Sequence, residues 1–197
     1  SGTREVMLFN ADDLSQIGSA MPLTTSPLHH KEAGISINDA QGYVVLGTES
    51  GVSGSEVMHI NIYDPLNGLS EDNIITEVEE LLAVVSEGDH ILAGGSGSST
   101  GTVNYKMTGL TIAPSGTQST VDNEPSHWLT KRTIDGTTYV VESKSGTGTS
   151  GIKLWKLDDT SGFEAVGTTV STSGAPRALG FDNAGTSAIA VSGTGVY

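Results

Sequence analysis

One structural motif occurs four times along this chain. Each copy consists of an apolar strand, a polar turn, a second strand, a Gly/Ser/Thr-rich hairpin and a third strand that ends in acidic residues. The second strands of the four copies are 42–47, 89–94, 138–143 and 187–192. They recur about every 47 to 49 residues, and a fixed period of this length indicates stacked units or a ring of small sheets.

The fourth copy is cut short at the carboxyl terminus, and its missing half lies at the amino terminus. Residues 192–197, continued by residues 1–9, align with residues 47–60. Three whole units and two complementary halves predict four units in a ring whose first residues pair with its last. Chain ends that meet in this way are also expected of a ring inserted into a larger protein, and the rival interpretation is a piece of a larger ring.

Four antiparallel strands per unit predict an all-β, four-bladed β-propeller in which the amino- and carboxyl-terminal halves complete one blade. The predicted domain is 1–197, with blades at approximately 26–73, 74–121, 122–173, and 174–197 plus 1–25. Two segments carry a resemblance to a known family. The segment 174–186 resembles the inner strand and following turn of WD-type and related bacterial propeller repeats, and 151–156 resembles their third strand. This resemblance extends over nearly the whole chain and implies the same fold.

One segment carries two conflicting patterns. Apolar residues between Asp72 and Val85 recur at helical spacing, and Ser70 precedes them as a helix start signal. The repeat instead predicts an outer strand over 74–78 and the next inner strand over 81–85. We follow the repeat because it accounts for more of the chain.

Charge and composition narrow the classes of partner. The 197 residues include 23 acidic and 9 basic side chains, a net charge of −14, which repels nucleic acid and anionic membranes. The chain has no Cys, no apolar run long enough to span a membrane and no signal peptide pattern. This acidic, Gly/Ser/Thr-rich composition favours an extracellular, cell-surface or virus-particle location.

The repeat itself predicts where a ligand would bind. In propellers the inner strands line an axial channel, and ligands meet its mouth. Alignment of the four inner strands brings charged and aromatic side chains to that mouth at comparable depth: Lys31, Glu32, Glu79, Glu80, His127, Trp128 and Arg177. A concave site that combines an aromatic surface with a few polar groups is typical of ligand recognition.

Three interpretations of this rim remain open. Its residues could simply end strands at a polar edge; they could bind a glycan or protein with Trp128 as a stacking surface; or Glu79 or Glu80 with His127 could act as acid and base on a saccharide. The pattern Gly146–Gly151 matches GxGxxG but leads into a strand, so it predicts no dinucleotide site. His29 and His30 are adjacent on a predicted strand and point to opposite faces, which disfavours their sharing a metal ion.

The sequence therefore predicts a non-catalytic binding or assembly module with no cofactor. Calcium in the channel is retained as an option because oxygen ligands suit so acidic a chain. A small propeller hydrolase or lyase that acts on saccharides, or a purely structural subunit of a larger assembly, are the alternatives.

Overall fold

The structure is a computed structural model that describes residues 5–22, 31–52, 55–96, 101–115, 126–144, 150–174, 176–182, 187–192 and 195–196. These residues form seventeen β-strands, all paired antiparallel, and contain no helix. The all-β prediction is therefore confirmed.

The strands form five sheets, each of which follows chain order. Three sheets have four strands. Sheet I comprises β3 (Lys31–Asn38), β4 (Tyr43–Val52), β5 (Ser55–Asp64) and β6 (Leu69–Ile75). Sheet II comprises β7 (Glu80–Glu87), β8 (His90–Ser96), β9 (Thr102–Thr108) and β10 (Thr111–Pro114). Sheet III comprises β11 (Ser126–Ile134), β12 (Thr137–Lys144), β13 (Gly151–Asp158) and β14 (Gly162–Ser171).

The two remaining sheets come from the chain ends. The amino-terminal hairpin consists of β1 (Glu5–Phe9) and β2 (Gln16–Pro22). The carboxyl-terminal sheet consists of β15 (Pro176–Phe181), β16 (Ala188–Ser192) and β17 (Gly195–Val196).

Tight turns join the first two strands of sheets II and III. Asp135 and Gly136 both have positive φ, at 49° and 77°, between β11 and β12. Two consecutive residues of this kind form the hairpin turn whose twist matches that of the flanking strands, and Asp-Gly favours it strongly. The equivalent turn between β7 and β8 uses Gly88, with φ of 55°. These turns fix the register of the first strands.

The first strands pack side by side: β3 against β7, β7 against β11, and β11 against β15. Gly34 and Ala83 are equivalent because each pairs with the corresponding glycine of its second strand, Gly47 or Gly94. Ile37 and Ser86, three residues further along, are therefore equivalent as well. A Cβ atom on Gly34 would lie 3.8 Å from the Cα of Ala83, and the Asn38 side chain donates to the Ser86 hydroxyl at 2.7 Å. Contacts match at both ends, so β3 and β7 run in the same direction.

Sheets I and II bury the largest core between them. Sheet I contributes Met58, Ile60 and Ile75 from its outer strands, and sheet II contributes Ile91, Ala93 and Tyr105 among others. Sheets II and III repeat this arrangement with Val85 and Leu92 against Val140, Trp155 and Phe163. Val140 opposite Trp155 is equivalent to Ile91 opposite Tyr105. The same positions therefore build both interfaces.

The amino-terminal hairpin packs on sheet I as sheet I packs on sheet II. Val6 and Met21 face each other across the hairpin, as Met58 and Ile75 do across β5 and β6. They contact Val44, Leu46 and Tyr63, which are the equivalents of Ile91, Ala93 and Tyr105. The hairpin thus occupies the place of a third and fourth strand in a sheet that precedes sheet I.

The carboxyl-terminal sheet packs on sheet III, at the opposite end of the row of sheets from the amino-terminal hairpin. Arg132 donates to the carbonyl oxygen of Asp182 at 2.8 Å. Asn38, the equivalent of Arg132 in sheet I, likewise donates to a backbone carbonyl oxygen of the next sheet, that of Gly88 at 2.7 Å. The carboxyl-terminal sheet therefore sits on sheet III as sheet II sits on sheet I.

Two details differ from the sequence-based expectation. The outer strand predicted over 74–78 is β6, which ends at Ile75, and residues 76–79 connect it to β7. The other difference concerns the chain ends. β17 pairs back on β16 through Val196 and Gly195, on the same edge of β16 that the repeat assigns to β1. Among the described residues, β1 pairs with β2, and the ring is not closed by hydrogen bonds.

Candidate functional site

The predicted site residues lie where the first strands begin, an end that we call the start rim. Lys31 and Glu80 are the first residues of β3 and β7, and Glu79 directly precedes β7. His127 and Trp128 are the second and third residues of β11, and Arg177 is the second residue of β15. The side chains of Lys31, Glu32 and Arg177, and the whole of His29 and His30, lie outside the described part of the structure.

All four first strands carry a β-bulge at the start rim. The pairing skips one residue in each strand, namely Ala33, Leu82, His127 and Arg177. His127 and Arg177 are thus equivalent, whereas Lys31 and Glu80 occupy a position two residues earlier. Bulges bend a strand and redirect its side chains, and they are common beside binding sites. A bulge cannot be recognised from residue types alone. The sequence alignment therefore places Lys31 and Glu80 at the same depth as His127 and Arg177, although the strand pairing separates them by two residues.

Trp128 is the one large side chain at its position in the repeat. Its equivalents are Gly34, Ala83 and Ala178. Trp128 is 51% exposed, although Trp is usually buried to a greater extent, and it follows the exposed, bulged His127. An indole that is half exposed, at a position where the other first strands carry Gly or Ala, is accessible to a flat ligand.

A lysine of sheet III contacts sheets I and II at the opposite end of the first strands. The Lys131 Nζ atom lies 2.9 Å from the carbonyl oxygen of Ser86 and 2.5 Å from that of Ile37. Lys131, Ile37 and Ser86 are equivalent positions of sheets III, I and II. The same Nζ atom contacts the carboxylates of Glu87 at 2.5 Å and Asp39 at 3.2 Å. The ammonium group therefore occupies the point on which equivalent carbonyl groups converge.

A polar cavity of about 420 Å³ opens at this end, between sheets II and III. Glu87, Asp158 and Glu164 line it together with Lys156 and the turn at Gly136. Asp158 accepts hydrogen bonds from the backbone N–H groups of Ser161 and Thr160, which hold the pKa of its carboxyl group below the usual range. Each of these carboxylates has a structural task, either at a turn or with Lys131. Among the described residues, no group of three or more metal-ligating side chains could hold an ion.

A hydrogen-bonded chain of Ser, His and Asp crosses the outer strands of sheet I. The Ser50 Oγ atom lies 2.7 Å from His59 Nε2, and His59 Nδ1 lies 2.8 Å from Asp72 Oδ1. The three residues come from β4, β5 and β6. Sequence reasoning missed them, because the register that makes them neighbours depends on hairpin lengths. The available signal was His59, the only histidine in the alternating pattern of 56–64.

The described residues include no helix that could cross a membrane. Comparison of the chain with models of known protein families gave no match, and neither did comparison with curated proteins. The assignment of function consequently depends on the geometry of the chain itself.

Proposed function

We propose that the chain closes into a four-bladed β-propeller that acts as an extracellular or virion-associated binding and assembly module. In this proposal the fourth blade combines β15 and β16 with β1 and β2. The support comes from the two half-blades, each of which packs on its neighbour through the positions that the complete sheets use.

Exposed apolar side chains mark the surfaces that closure would bury. Ile35 is 62% exposed on β3, whereas its equivalent Val84 is 4% exposed against sheet I. In a closed ring, β15 packs on β3 as β3 packs on β7, and Ile35 becomes buried as its equivalent Val84 is. Full burial of one such side chain contributes about 1.5 to 3 kcal/mol, so closure is favourable on this ground.

The ligand that we propose for the start rim is a glycan. Trp128 is the basis of this proposal, because a half-exposed indole offers a stacking surface for the apolar face of a sugar ring, and the equivalent positions of the other sheets carry only Gly or Ala. His127, which precedes it, and Glu79, which precedes the neighbouring first strand β7, are both exposed and supply polar groups that orient such a ligand. A net charge of −14 disfavours strongly anionic glycans.

A glycan array with the full chain tests this function. Trp128→Ala is expected to weaken binding by about 2 kcal/mol, or about 30-fold in Kd, as is typical of a central aromatic contact. Trp128→Phe is expected to retain part of the affinity, and Leu66→Ala, at an exposed turn of sheet I, serves as the matched control. Loss of binding in chelator would add a calcium ion to the site. Binding to no glycan would refute this function and favour a structural subunit.

A further inference from the structure

We infer that Ser50, His59 and Asp72 form a nucleophilic site on sheet I that acts on carboxylic esters. Ser50 follows Glu49, which pairs with Lys31 of the start rim, but the site shares no residue with the surface around Trp128, and its test does not depend on glycan binding. The argument starts from the register of three neighbouring strands. Ser50 lies opposite Val57 and His59 lies opposite Thr48, so Ser50 and His59 are diagonal neighbours on one face. Asp72 lies opposite Asn61, which makes it diagonal to His59 on the same face.

The hydrogen bonds assign a direction to the chain of three groups. An ionised carboxylate only accepts hydrogen bonds, so the Nδ1–H group of His59 donates to Asp72. The Nε2 atom of the neutral imidazole is then an acceptor, and the Ser50 hydroxyl donates to it at 2.7 Å. Nucleophile, base and orienting carboxylate within hydrogen-bond reach are the arrangement by which serine nucleophiles are activated on unrelated folds.

The histidine of the site is buried and the serine is accessible, which is the arrangement that nucleophilic catalysis requires. The His59 side chain is 8% exposed, and the Asp72 side chain is 28% exposed. Ser50 is partly exposed beside the hairpin between β4 and β5. The base is thus held in a fixed orientation by the sheet, while the hydroxyl group lies where a substrate can reach it.

Apolar side chains beside the site indicate the class of substrate. Val57 lies directly opposite Ser50, and Ile74 lies directly opposite His59, both on the same face as the three groups. Val57 is 38% exposed and Ile74 is 65% exposed. Both offer a surface for a short or medium apolar acyl chain, which favours an uncharged ester over a charged one.

The reaction proceeds in two balanced steps. Ser50 Oγ attacks the carbonyl carbon of the ester while its proton passes to His59 Nε2; the ester C–O bond then breaks, and the leaving alcohol takes that proton. A water molecule next attacks the acyl-serine, giving its proton to His59. The bond to Ser50 Oγ breaks, the serine regains a proton from His59, and the carboxylic acid leaves. Asp72 is a positioning residue that holds the imidazole tautomer throughout.

Covalent labelling of the full chain tests the nucleophile directly. An alkyl fluorophosphonate reacts with an activated serine as Oγ attacks phosphorus, the P–F bond breaks and the proton passes to the base. We expect intact mass to show one label per chain and peptide mapping to place it on Ser50. Ser55→Ala, at an exposed serine of the same hairpin, is the matched control and is expected to label normally.

The variants separate a nucleophile from a structural hydrogen bond. Ser50→Ala is expected to abolish labelling, and His59→Gln and Asp72→Asn are expected to slow it on the order of 10³-fold while each keeps a native circular dichroism spectrum. With p-nitrophenyl butyrate, the wild-type chain is expected to release a burst of p-nitrophenol that Ser50→Ala lacks. No label on Ser50, or equal labelling rates in wild type and in a folded His59→Gln variant, would overturn the inference.

Discussion

Lys131 provides the sharpest test of how the sheets are held together. Its Nζ atom joins sheet III to backbone carbonyl groups of sheets I and II and to the carboxylate of Glu87. The Lys131 and Glu87 side chains are only 17% and 11% exposed, so water replaces only part of the lost contacts when one partner is removed. Lys131→Met keeps much of the aliphatic volume and removes the charge.

The expected loss of stability follows from the contacts. Removal of one partner from a fully buried ion pair costs about 3 to 5 kcal/mol, and hydrogen bonds to a charged group contribute about 1.5 to 3 kcal/mol. For this partly accessible pair we expect the free energy of unfolding to fall by about 3 kcal/mol. In a domain of this size that lowers Tm by roughly 6 to 12 °C.

Urea unfolding and calorimetry measure this change, and a double-mutant cycle with Glu87→Gln isolates the pair. The two substitutions are expected to be non-additive by at least about 1 kcal/mol, because they remove the same interaction. Lys106→Met is the matched control: Lys106 pairs with Asp89 at 3.6 Å, both are nearly half exposed, and a loss below about 1 kcal/mol is expected. If Lys131→Met costs no more than this control, the proposed role of Lys131 is wrong.

Three further predictions concern buried polar groups of the interfaces. Tyr63 and Tyr105 are equivalent, but the Tyr105 hydroxyl donates to Glu77 at 2.8 Å, whereas that of Tyr63 has no partner among the described residues. Tyr105→Phe is therefore expected to lower the unfolding free energy by about 1 kcal/mol and Tyr63→Phe to leave it unchanged, as measured in urea; equal losses would contradict this. Burial, with a smaller effect of a nearby carboxylate, raises the pKa of Tyr63 from 10.0 to about 12. Because the folded state favours the protonated phenol, this stabilisation is present below pH 10 and is lost as pH rises towards 12; urea titrations are expected to show a smaller alkaline loss in Tyr63→Phe. Trp155 Nε1 donates to the fully buried Glu142 at 2.7 Å. Trp155→Phe removes this partner and part of the buried contacts, so the free energy of unfolding is expected to fall by at least about 2 kcal/mol. A fall of less than about 1 kcal/mol in urea would contradict the pairing.

The strands could be predicted well from the sequence because the strand pattern occurs in four copies, and each copy indicates the same strands independently. Apolar residues at helical spacing between Asp72 and Val85 form two strands, β6 and β7, because their side chains pack on sheets already required by the repeat. In such a segment, tertiary packing outweighs the local preference for a helix. The small residues equivalent to Trp128 were also readable from the sequence, once the register was known.

Other features could not be predicted from residue types. The bulges at the start rim shift each first strand by one residue, and they decide that His127 and Arg177 are equivalent while Glu80 is not. The contacts of Lys131 with sheets I and II join residues that are 94 and 45 positions apart in the sequence. Such contacts depend on how whole sheets stack, and a single sequence carries no direct signal for them.

Closure of the ring is the central claim, and a disulfide trap tests it most directly. The chain has no Cys, so a pair introduced by Phe9→Cys and Ala190→Cys is the only source of a disulfide. The strand pairing makes Phe9 equivalent to Asn61 and Ala190 equivalent to Leu46, and Asn61 and Leu46 face each other across β5 and β4. Mild oxidation of the dilute monomer is expected to form an intrachain disulfide, seen as a loss of both free thiols and a faster band on non-reducing gels. Free thiols that persist in the folded monomer, or disulfides that form only between chains, would contradict the closed ring.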